Sequence, residues 1–176
     1  ISKLEKKIDK NPKSEQEYLN LIFLYSEEGN SGKAFEIAKE LIKQMPNSQL
    51  VHFALYKYYL EDGESEKAIK SMNIIFSSNQ IERKSKNRVL EDFLLFAKNN
   101  PSYKTKIDGL ITNGLKGGDS QTYLLLGDFY LLEGDKEKSL NFYIEGTKSD
   151  SDNFGLLKNT ILLQIEVEKY KDAIVL

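Results

Sequence analysis

The chain has no cysteine, no tryptophan and a single histidine, His52, among its 176 residues. Without cysteine there is no disulfide, no thiolate metal site and no thiol nucleophile; the compartment stays open, because reducing and oxidising locations both tolerate such a chain. One histidine leaves too few nitrogen and sulfur donors for a transition-metal site, so no metal or other cofactor is expected. Long apolar runs are missing too. The longest, LLKNTILLQIEV from Leu156, is broken by Lys158, Asn159 and Gln164, so no membrane insertion is expected. Charge of one sign is also lacking: 30% of residues are charged but the formal net charge is −2, which gives no field to draw nucleic acid or an acidic membrane. No phosphate-cradling glycine motif and no nucleophile elbow occurs.

What the chain does have is a beat. Gly29 and Gly63 are 34 residues apart, and Gly134 follows 71 later, two such steps plus three residues. The stretch from Glu15 superimposes without a gap on the stretch from Gln49: Tyr18 on His52, Leu21 on Leu55, Ile22 on Tyr56, Tyr25 on Tyr59, Ala34 on Ala68 and Leu41 on Ile75. A third copy from Ser120 fills the same slots with Tyr123, Leu126, Gly127, Tyr130, Gly134 and Ser139. A fourth from Phe154 keeps Leu157, Ile161 and Ala173 but puts Glu168 where the glycine stood. A period of this length signals stacked helix pairs that bury their apolar faces only against one another.

The slots have a helical logic. Tyr18, Leu21, Ile22 and Tyr25 fall at i, i+3, i+4 and i+7 and make one stripe; Ala34, Ala38 and Leu41 make another after the turn. Small residues at Ala34, Ala68, Ser139 and Ala173 let paired backbones approach, while the three glycines suit the left-handed residue that ends a helix. Ser14 with Glu17 fits a capping box, Asn47 or Ser48 can cap the next first helix, and Asp135 can cap the helix after its turn.

These slots resemble the tetratricopeptide repeat. The resemblance is good over Ser14–Gln80 and Asp119–Ser151 and partial over Asp152–Leu176, with departures: no Trp, no proline at Gln80 or Ser151 to match Pro46, and Gly146 in place of a small apolar residue. It implies an all-α, right-handed superhelical solenoid of antiparallel helix pairs, with about four to five repeats. As a single domain, residues 1–13 would be the second helix of a preceding repeat, 14–47 and 48–80 full repeats, 81–118 a degenerate pair, 119–151 a repeat and 152–176 a truncated one. Ile1 opening mid-repeat and apolar residues Ala173 to Leu176 without a polar cap suggest a fragment of a longer protein. That end could self-associate, and the location, cytoplasm or bacterial periplasm and envelope, would depend on what precedes Ile1.

The degenerate segment breaks the beat. Ile81, Val89, Leu90, Phe93, Leu94 and Phe96 predict a long helix to about Lys98, ended by Asn99, Asn100 and Pro101; Ile107, Leu110, Ile111 and Leu115 predict a second, closed by Gly117 and Gly118. Both arginines, Arg83 and Arg88, lie here beside Lys84 and Lys86. Some tetratricopeptide members clamp a partner's C-terminal carboxylate from first helices. By alignment Lys84 and Arg88 suit part of such a clamp, but Leu19 and Phe23 stand where it would want Lys and Asn; the other reading is a solvated basic face.

A second apolar stripe is the stronger lead. Beyond the packing residues, Leu19 and Phe23 make an extra i, i+4 pair, and the later copies supply Phe53 and Leu60, then Leu124, Leu125, Leu131 and Leu132, then Leu162 and Ile165. The resemblance places this face in the concave groove, edged by Asn20, Lys57 and Asp128. Burying five Leu or Phe side chains yields on the order of 10 kcal/mol gross against an association cost of about 4 to 15, enough for micromolar peptide binding. The expected partner is a protein or peptide; the alternative is an architectural or self-assembly module whose groove is filled by its own chain. Catalysis finds no footing: His52 sits in a packing slot, and Glu27, Glu28, Glu61, Asp62 and Glu133 read as solvated turn edges.

Overall fold

The computed structural model describes residues 1–114 and 117–175, and among these every regular element is a helix. Two compact units divide the chain, Ile1–Ile81 and Glu82–Leu176. The first holds α1 (Ser2–Lys10), α2 (Glu15–Glu27), α3 (Ser31–Gln44), α4 (His52–Glu61) and α5 (Ser65–Ser77). The second holds α6 (Arg83–Asn99), a 3-10 turn at Pro101–Tyr103, α7 (Lys104–Gly114), α8 (Ser120–Leu132), α9 (Lys136–Ser149), α10 (Phe154–Glu166) and α11 (Tyr170–Val175). The side chains of Ile111 and Val175, with Leu115 and Leu176, lie outside the described residues.

Within the first unit each helix packs on its chain neighbour, so α2 with α3 and α4 with α5 form hairpins. Tyr18 near the start of α2 donates to Glu40 near the end of α3 (2.9 Å), and Tyr25 near the end of α2 donates to Glu5 near the start of α1 (2.8 Å), so the pairs run antiparallel. The core is the stripe read from sequence: Tyr18, Leu21, Ile22, Tyr25, Ala34, Ala38, Leu41 and Leu55 are buried together with Ile8 and Val51. Helices of 10 to 14 residues such as these are marginal alone in water, so this shared burial is what holds them.

The second unit repeats the hairpin in α8 and α9, with α10 packed on α9 and α11 on α10. Ser139 donates to the Gly127 carbonyl at 2.8 Å, and a Cβ on Gly127 would stand 2.3 Å from the Tyr143 ring. Gly146 has a similar reason for its size: a Cβ there would meet Leu156 at 2.9 Å, so the missing methyl lets α10 seat against α9. The α6–α7 pair is irregular. α6 packs on α8 as well as on α7, and the join is polar: Asn87 donates to Asp119 (3.0 Å), while the Thr122 hydroxyl lies 2.6 Å from the Asn87 carbonyl oxygen and 2.7 Å from Asp119. Burial works against charge on Asp119, but these bonds, the Thr122 amide and nearby Arg83 together hold its carboxyl below the usual range.

The turns carry the beat further than glycine does. Gly29, Gly63 and Gly134 have φ of 73°, 75° and 82°, and Glu168, 34 residues after Gly134, takes φ 62°. At three of the four, the same pair of bonds closes the helix. Asn30 donates to the Tyr25 carbonyl and Gly29 to Ser26; Asp135 to Tyr130 and Gly134 to Leu131; Lys169 to Gln164 and Glu168 to Ile165. This is the Schellman arrangement, and its hydrogen bonds are made by the backbone, so they persist where the glycine does not.

Two capping expectations change. Ser14 precedes α2, but its side chain accepts no cap bond, so the capping box with Glu17 does not form; Glu17 instead receives Lys7 from α1 at 2.9 Å. Ser48, four residues before α4 begins, accepts from the Val51 amide at 3.4 Å, so it closes the turn leading in while Val51 occupies the cap position. Asn30, Asp119, Asp135 and Asn153 all cap through their side chains.

Candidate functional site

In the first unit the packing stripe of α2 is fully used, and the adjoining face is not. Leu19 is half-buried against the core, whereas Phe23, one turn on, is 61% exposed and Leu24 beside it is 36% exposed. Asn20 is exposed and accepts from Gln16 at 2.9 Å, which orients its amide along the helix. On α4, Leu55 and Tyr56 are buried, Phe53 and Leu60 are half-buried, and Lys57 is exposed with a partner of its own. Of the extra stripe, therefore, Phe23 stands at the surface while Leu19, Phe53 and Leu60 are half-buried. Hollows of about 270 and 370 Å³ lie around the Pro46 turn and beside α5, and neither is lined by a residue of this stripe.

Charge is distributed unevenly along these helices. α2 ends in Glu27 and Glu28 and α4 in Glu61 and Asp62, with no basic residue in either last turn, whereas α1 and α3 carry lysines in theirs. Acids at a helix C-terminus oppose the helix dipole by about 0.3 to 1 kcal/mol each. Among the described residues these four form no ion pair, whereas Glu133 at the end of α8 is paired with Lys104 and Glu166 at the end of α10 with Lys136 (2.8 Å).

In the second unit Leu124 is half-buried against a core of Leu140, Tyr143, Leu156 and Leu163, and Leu131 is only just exposed. Leu132 is 72% exposed, and Leu162 and Ile165 stand out from α10. Asp128 accepts from the Tyr143 hydroxyl at 2.6 Å, a bond which, after burial, pushes that hydroxyl's pKa up. Asp128 thus holds α8 to α9 while one face of its carboxylate stays in solvent.

The basic cluster divides by direction. Arg83 donates to the Gly117 carbonyl at 3.1 Å, and Lys86 is buried, with burial and then Arg83 lowering its pKa. Lys84 and Arg88, one turn apart on α6, face solvent. His52 is half-buried with Nδ1 3.1 Å from the Ser71 hydroxyl, and burial followed by Lys70 lowers its pKa. It packs in the slot of Tyr18, where the sequence placed it. What sequence reasoning missed is the set of tyrosine–carboxylate bonds: the acid lies 22 residues after Tyr18, 20 before Tyr25, 22 before Tyr130 and 15 before Tyr143, so no fixed spacing announces it.

Left-handed turns on the 34-residue beat, antiparallel pairs and small residues at the contacts now stand together. The repeat is tetratricopeptide-like. No protein-family model and no curated protein matches the sequence. Solved structures do match. Pseudomonas aeruginosa PilF is 17% identical, over 89% of this chain and 70% of that one, with a TM-score of 0.49. MamA 41-end from Desulfovibrio magneticus RS-1 is 14% identical over 92% and 91% (TM-score 0.45), and the TPR domain of P58(IPK) is 16% identical over 99% and 52% (TM-score 0.44).

Proposed function

We propose that this tetratricopeptide-like chain is a non-catalytic protein-interaction scaffold that receives a peptide or helix of a partner on the apolar face of its first helices. The observation that carries this is Phe23, a large aromatic 61% exposed beside half-buried Leu19, on a helix whose packing stripe is already complete. A large apolar side chain left in solvent beside further partly exposed apolar residues favours an interface there. In the first unit the contact residues are Leu19, Asn20, Phe23, Phe53, Lys57 and Leu60. In the second they are Leu124, Asp128 and Leu131, with Lys84 and Arg88 offering cations on α6. An architectural reading draws on Phe154, 83% exposed at the start of α10, which would suit self-assembly.

Selection of displayed peptides against the chain tests the scaffold reading. Losing the burial of one Phe costs about 1.5 to 3 kcal/mol, so Phe23→Glu or Phe53→Glu is expected to weaken the selected binders by at least about tenfold while helical circular dichroism is unchanged. Binders indifferent to both substitutions would overturn it. Light scattering that rises with concentration, and falls in Phe154→Glu, would instead favour self-assembly.

A further inference from the structure

The acidic ends of α2 and α4 bear on what the first unit binds, given the scaffold reading on which this inference rests. Phe23 and Glu27 are one turn apart on α2, so any chain lying over Phe23 passes the carboxylate next along the helix; Lys57 and Glu61 have the same spacing on α4. Glu27, Glu28, Glu61 and Asp62 are all exposed and form no ion pair among the described residues. Both helices also end at these acids, so the negative pole of each helix dipole adds partial negative charge to formal negative charge. Nearby cations are already engaged: Lys33 lies over the Tyr25 ring at 5.2 Å, Lys67 pairs with Glu64 and acts on Asp62 only from beyond ion-pair distance, and Lys57 has its own partner.

The equivalent ends in the second unit are neutralised by Lys104 and Lys136, so the repeat does not itself require bare acids there. The first unit therefore couples an apolar stripe to a negative rim that forms no ion pair, at one end of it. We infer that its occupant is an amphipathic peptide whose apolar side chains cover Leu19, Phe23 and Phe53 and whose lysines or arginines meet the rim at the Gly29 and Gly63 turns. This is the opposite polarity to a carboxylate clamp. Leu19 and Phe23 present no cation for a terminal carboxylate, and the acids beside them would repel one.

Two labelled 16-residue helical peptides test it, identical in their leucine face and differing only in whether the flanking positions are lysine or glutamate. Fluorescence anisotropy with the whole chain is expected to show the lysine peptide binding at least tenfold more tightly at 50 mM salt, with the gap shrinking at 300 mM. The double variant Glu27→Lys/Glu61→Lys is expected to remove the preference, and Phe23→Glu to weaken the lysine peptide tenfold. Equal affinity for both peptides, lost in Phe23→Glu, would overturn the basic partner and leave the groove standing. Lysine-peptide binding indifferent to Phe23→Glu would refute the inference by showing attraction without docking. Binding by neither peptide would refute it as well, and would leave the scaffold reading to the displayed-peptide selection.

Discussion

Glu168 is an L-residue doing a glycine's job, and its replacement measures what the fourth turn costs. At φ 62° its Cβ crowds the neighbouring carbonyl, a strain of about 1 to 2 kcal/mol. Its side chain is exposed, so no packing offsets that strain. Glu168→Gly relieves it but enlarges the conformational freedom of the unfolded chain, which takes back about 0.4 to 1 kcal/mol. The net expected stabilisation is about 0.5 to 1 kcal/mol. It should appear first at the amide of Lys169, which donates to the Gln164 carbonyl at 2.7 Å and closes the turn. Native-state hydrogen exchange is the assay, with protection at Lys169 expected to rise about two- to fivefold. Removing an acid from a helix C-terminus could stabilise by itself, so Glu168→Ala serves as the control: it removes the charge but retains the strained backbone, and should gain less than the glycine. Equal protection in the two variants would refute the strain argument and assign the whole effect to charge.

Gly127→Ala is expected to destabilise the second unit by more than about 2 kcal/mol in chemical unfolding, because the new methyl would sit 2.3 Å from the Tyr143 ring at a fully packed helix crossing; a loss under 0.5 kcal/mol would show that the ring moves aside freely. His52 supplies a pH test. Burial, then Lys70, places its folded pKa below the ordinary 6.5, so the unfolded chain binds the proton more readily and stability falls as pH drops through about 6.5, levelling off below the folded value. His52→Gln should flatten the midpoint of thermal unfolding between pH 5 and 7, where carboxylates contribute least; an unchanged slope would move the titration elsewhere.

The parts of this fold legible in the sequence are those set by period. Tyr18, Leu21, Ile22 and Tyr25 repeat at helical spacing because one face must be dry, and a pattern that recurs 34 residues later can be read without coordinates. The exposure of Phe23 was legible for the same reason, by subtraction: once the packing slots are assigned, Phe23 has no core left to enter. Side-chain hydrogen bonds follow no such rule. Asn87, Asp119 and Thr122 meet because the irregular α6 packs on α8, and the three-residue excess in the beat signals an irregularity without saying which polar groups it brings together.

Gln164 shows where period and polarity part. It stands in the slot of Tyr25, Tyr59 and Tyr130, and two of those tyrosines donate to an acid on the preceding helix, Tyr25 to Glu5 and Tyr130 to Asp108. The positions 20 and 22 residues before Gln164 are Ile144 and Phe142, which offer no acceptor or donor. Gln164 is nonetheless 3% exposed, and its Oε1 has no hydrogen-bond partner. The backbone of that turn was preserved despite losing its glycine, because its bonds run between main-chain atoms; the tyrosine's bond was not, because it needs two particular side chains to be kept at once. In this chain, then, repetition conserves what the backbone can supply by itself, and the individual character of each copy lies in its side-chain pairs and exposed faces.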